Sequence, residues 1–137
     1  MVDTFDPGAE RGTLQTDEVR ALLSICCDPE GAERELSEGN LRKISVEDQG
    51  RFAPLVRHPG WIASMAAFTD SELSRLVRIF TLGEMLFNNW TAGDQSAVIP
   101  IVAELKRRDA YDRSLTRWIK AHSDNRFLPH GNITARL

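Results

Sequence analysis

The sequence predicts an all-α fold: a single domain over residues 1–137, with five to six helices around a buried central helix at about 70–88. Three observations point that way. Apolar residues recur at i, i+3, i+4 and i+7 in segment after segment, the spacing that places them on one helix face. No stretch shows sustained two-residue alternation with β-branched enrichment, so no sheet is expected. The chain also has 137 residues, 42% of them hydrophobic and 27% charged, enough for one hydrophobic core and too few for two ordinary domains.

Residues 1–15 contain Asp3, Asp6 and Glu10 but no apolar run. They read as a flexible acidic arm and not as a secretory signal. Thr16 can cap the first helix, with Asp17 and Glu18 at the positive end of its dipole. Val19, Leu22, Leu23 and Cys26 form its stripe. The Asp28-Pro29 pair stops it, and residues 30–40, acidic and carrying Gly31 and Gly39, read as a weak helix and a loop. Ser45, with Asp48 three residues on, opens the next helical segment. Its face is Phe52, Leu55 and Val56, and Gly50 and Pro54 weaken its interior. His58 before Pro59 breaks it. Pro59 then begins a helix expected to bury Trp61, Ile62, Met65 and Phe68.

The central helix starts at the S/T-x-x-E capping box formed by Thr69 and Glu72. Leu73, Leu76, Val77 and Phe80 make one stripe, and Ile79, Leu82 and Leu86 widen it nearly around the helix, the pattern of a buried element. Gly83 in its interior implies close approach by a neighbouring helix. After a break at residues 91–94, Val98, Ile101, Val102 and Leu105 restore the helical spacing, with Pro100 in the first turn and Lys106, Arg107 and Arg108 at the C-terminal end. A short turn leads to a last helix from Ser114 to about His122, burying Leu115, Trp118 and Ile119. Residues 124–137 carry Asn125, Pro129, Gly131 and Asn132 and read as an irregular tail.

Charge is distributed unevenly. Residues 1–40 sum to −7 and residues 41–137 to +4, so the net of −3 hides an acidic front and a mildly basic remainder. With no apolar run of about 20 residues to span a bilayer and no signal segment, a cytoplasmic protein without membrane partners is expected. Cys26 and Cys27 are adjacent, poorly placed for a mutual disulfide or a shared metal. The three histidines, His58, His122 and His130, lack metal-ligand spacing, so neither metal nor cofactor is expected. Asp94 and Ser96 precede a helix without the lysine of a phosphate loop, and helix capping explains them.

Three functional readings follow. The first is a non-catalytic interaction or regulatory module, self-associating as a homo-oligomer or binding a protein partner. Its contact surface is the hairpin at 101–122 with the tail, where Trp118, Arg117, Phe127 and Leu128 combine apolar area with polar handles. The second is a DNA-binding regulator. Two helices joined by a short turn, the second carrying Arg113, Ser114, Thr116, Arg117 and Lys120, resemble a helix-turn-helix. The resemblance departs at the turn position that usually holds Gly, here Asp109, and at Leu105, where a small residue is usual. An acidic total charge also weakens attraction to phosphate. The third is an enzyme or small-ligand binder using His122 with Asp124, an imidazole and a carboxylate able to exchange protons, with His130 nearby in sequence.

Overall fold

The structure, a computed structural model, describes residues 13–26, 41 and 44–131. Within them lie six α-helices and no strand: α1 Thr16–Cys26, α2 Val46–Val56, α3 Trp61–Ser64, α4 Asp70–Leu86, α5 Val98–Arg107 and α6 Arg113–His122. Short 3₁₀ turns cover Met65–Ala67, Asn88–Trp90 and Gly93–Gln95. The Asp28-Pro29 stop, the weak helix at 30–40 and most of the arm at 1–15 lie outside the described residues. At the described end of that arm Leu14 is 3% exposed, so the chain is already anchored in the core before α1 begins.

The predicted central helix is α4. It packs against α1, α5, α6 and the Asn88–Trp90 turn, and it buries Leu73, Leu76, Val77, Ile79, Phe80 and Leu82. Each such side chain removed from water contributes about 1.5–3 kcal/mol. The capping box is complete: Glu72 N–H donates to Thr69 Oγ1 at 3.1 Å, and Thr69 N–H donates to Glu72 Oε1 at 2.9 Å. At the other end the helix stops at Leu86, two residues before its expected limit. Phe87 turns extended there, and the chain enters the Asn88–Trp90 turn.

That turn explains Gly83. A Cβ at this position would lie 2.1 Å from Trp90 Cε3. The close approach is real, but it comes from the indole directly following the same helix and not from a neighbouring helix. Trp90 is fully buried, and its Nε1–H donates to Gln49 O of α2 at 2.8 Å. Its ring continues an aromatic row through Phe80, Trp61 and Phe68, with centroid separations of 6.2, 5.7 and 6.0 Å. Trp90 therefore joins α4 to α2 inside the core.

One further expectation changes. Ile62, expected to be buried, is 79% exposed. The reason is that α3 is a single turn, in which Trp61 and Met65, four apart, take the inward face and leave Ile62 outside. Pro54 does not interrupt α2. Ser45 caps the helix by accepting from Asp48 N–H, and the carbonyl that Pro54 leaves unpaired belongs to exposed Gly50 on the solvent side. No helix among the described residues is long and apolar enough to cross a membrane.

Candidate binding groove

The turn between α5 and α6 is built by local hydrogen bonds. Asp109 N–H donates to Lys106 O at 3.0 Å, and Ala110 N–H reaches back to Leu105 O at 2.8 Å. This pair of bonds is the Schellman closure of a helix C-terminus, which needs a left-handed residue between them. Asp109 occupies that place with φ 59°. It stands where a helix-turn-helix usually has Gly, in the backbone conformation that favours Gly. Three residues later Asp112 caps α6, its carboxylate accepting from Ser114 N–H at 2.8 Å. That backbone bond, followed in effect by the positive Arg117 nearby, lowers the Asp112 carboxyl below its usual range.

On α6, Leu115 and Ile119 point into the core, whereas Arg113, Arg117 and Lys120 are exposed. Their spacing of four and three residues stacks them on one face. Arg113 and Arg117 continue into an open groove of about 510 Å³, closed on its other sides by Lys106 of α5 and His130 of the tail. Tyr111 and Thr116 form its wall, and among the described residues Asp109 is the one acid lining it. The Tyr111 and Thr116 hydroxyls are hydrogen-bonded to each other. Partial burial raises the Tyr111 phenol above its usual pKa. Lys106 Nζ lies 5.3 Å from the Tyr111 ring centroid and 2.9 Å from His130 Nδ1.

Four arginines elsewhere on the bundle are paired with carboxylates. Arg107 and Arg108 both bind Glu104, Arg20 binds Glu72 and Arg51 binds Glu18, all within 3 Å. Among the described residues no carboxylate lies within salt-bridge distance of Lys106, Arg113 or Arg117. Among the described residues, three cations thus face one groove with no carboxylate within salt-bridge distance.

The remaining predicted residues are dispersed. Ser114 is exposed at the start of α6, beside Asp112. Trp118 is half-buried, with the Arg78 guanidinium 5.6 Å from its ring on one side and His122 stacked at 4.3 Å. Arg126 lies 5.2 Å from the ring of half-buried Phe127. Leu128 is 5% exposed and belongs to the core, so this residue packs on the bundle and is withdrawn from any contact surface. His122 Nδ1 is 2.7 Å from Trp118 O, Asp124 N–H contacts Met85 Sδ, and His130 sits on Lys106. No hydrogen bond among the described residues joins these three, and no group of metal-ligating side chains forms there.

Sequence reasoning did not join Lys106, Tyr111 and His130 to the site, nor foresee Glu84. The Glu84 carboxyl accepts from Ser96 Oγ at 2.5 Å and from Asn125 Nδ2 at 3.1 Å, holding the tail to α4 and to the loop before α5. Burial, only partly offset by these donors, raises its pKa. The N-cap of α5 is Ala97, without a side-chain cap, so neither Asp94 nor Ser96 caps it as expected; Ser96, one residue earlier, accepts from Val98 N–H at 3.2 Å. An all-helical domain with an open basic groove is the class that fold and site define. No protein-family model, no curated protein and no solved structure matches the chain.

Proposed function

We propose that this chain is a non-catalytic interaction module that self-associates, with the groove between α5, α6 and the tail as its contact surface. The observation that carries the reading is the gathering of three cations in one groove, with no carboxylate among the described residues within salt-bridge distance of them. Arginine clusters of this kind recognise acidic motifs. The chain supplies such a motif itself, because its first forty residues sum to −7. The acidic front of one copy is therefore the complement of the groove on another.

Sedimentation equilibrium at low and high salt tests this. Association is expected at low ionic strength, weakening as salt screens the contact and absent from Arg113→Ala/Arg117→Ala. A protein that stays monomeric at low salt and high concentration overturns the proposal.

A second reading, binding of duplex DNA, has its own support. Arg113, Arg117 and Lys120 form an exposed row on α6 with Ser114 and Thr116 beside it, and the turn before it holds Asp109 at positive φ, the conformation that the usual Gly of such a turn adopts. A salt-sensitive gel shift abolished by Lys120→Ala together with Arg117→Ala would favour it; no shift at low salt would reject it.

A further inference from the structure

We infer that the groove is a site for a small phosphomonoester. The inference rests on the groove reading above but not on self-association. Lys106, Arg113 and Arg117 set against Asp109 give the described lining of the groove a charge of +2, counting His130 as neutral. A phosphomonoester carries about −1.5 to −2 at neutral pH and presents three acceptor oxygens, so it matches both the charge and the number of cations. A single carboxylate offers two oxygens and half that charge. The arginine forks are also suited to bind phosphate oxygens in pairs. A space of about 510 Å³ is ordinary for a small-molecule site and larger than a bare ion needs. The Tyr111 ring supplies an apolar wall for the organic part of the ester, and Asp109 disfavours a second phosphate opposite the first.

Tyr111 is the chain's one tyrosine, so in tyrosine-labelled protein its ring signals report on the groove alone. The test is NMR titration with phenyl phosphate, inorganic phosphate and, as a carboxylate control, phenylacetate, at constant ionic strength. Saturable Tyr111 shifts are expected with phenyl phosphate, less tightly with inorganic phosphate, and only weakly with phenylacetate. Arg113→Ala/Arg117→Ala should bind at least about tenfold more weakly. Lys120→Ala, on the same helix but outside the groove lining, should bind as the parent does. Shifts that stay linear, that phenylacetate reproduces, or that Lys120→Ala removes equally would overturn the inference. Sedimentation of the same samples separates the two readings. Phosphate binding by a monomer supports the inference and rejects self-association, whereas salt-sensitive association without saturable phosphate shifts does the reverse.

Discussion

Arg108 and Arg113 lie five residues apart and have opposite surroundings. Arg108 ends α5 and is fully engaged. Its Nη1–H and Nη2–H groups donate to Phe68 O at 2.9 Å, Asp70 Oδ1 at 3.0 Å and Met65 O at 2.8 Å, and its Nε–H donates to Glu104 Oε2 at 2.6 Å. It thereby closes the 3₁₀ turn after α3 onto the start of α4. Arg113 begins α6 and faces the groove, with no carboxylate among the described residues within salt-bridge distance. The same side-chain chemistry serves architecture in one place and is left open to an anionic ligand in the other. Satisfaction of its donors separates the two roles.

The closed region should respond strongly to substitution and the open one weakly. The largest effect is expected at Gly83→Ala, where the new Cβ would overlap Trp90 and overpacking costs about 3 kcal/mol. Chemical denaturation measures it, and an unchanged midpoint would show that Trp90 can retreat. Arg108→Ala should follow, because two carbonyls and two carboxylates lose their donor; its melting temperature should fall well below that of any groove variant.

The same node has a pH signature. Arg107 and Arg108 hold the Glu104 carboxyl down to about 2. Its contribution is therefore complete above the ordinary value near 4.5 and lost as pH falls toward 2. Glu104→Gln should lower the melting temperature at pH 6 and narrow its difference from the parent progressively toward pH 2. A pH-independent difference would mean the ion pairs contribute nothing. Glu84 has the opposite sign. Its raised pKa makes its contribution largest below 4.5 and smaller as pH rises through the raised value.

Asp109→Gly lies on the boundary between the two regions. Relief of the left-handed strain should stabilise the fold by about 1 kcal/mol while leaving the turn intact. A destabilised variant would instead assign the Asp109 side chain a structural role. Smallest of all, Arg113→Ala/Arg117→Ala should stay within about 0.5 kcal/mol of the parent, since both arginines are exposed and no carboxylate among the described residues lies within salt-bridge distance of either. A substantial loss of stability there would remove the distinction on which the groove reading depends.

How legible each feature was depends on the range over which its cause acts. The Thr69–Glu72 box and the stripe through Leu73, Leu76, Val77 and Phe80 are local, set within one or two turns, and they read directly. Gly83 signalled a close contact, but its partner could be found only once Phe87 redirected the chain and brought Trp90 back. Ile62 was misplaced because a one-turn helix has too few residues for periodicity to choose its inward side. In the candidate site, Arg113, Thr116 and Arg117 were legible as the polar face of α6. Lys106 and His130 were not, because 24 residues separate the groups that meet at 2.9 Å.

The sequence alone determined the helical class, the central position of a helix at about 70–88, the polar face of α6 and the contrast between an acidic front and a basic remainder. Each follows from spacing or charge along the chain, which folding does not alter. Tertiary structure decided which cations find carboxylates, that Leu128 is core, and that Lys106, Tyr111, Arg117 and His130 line one space. Those outcomes depend on how helices pack and where the tail returns, and long-range packing determines both.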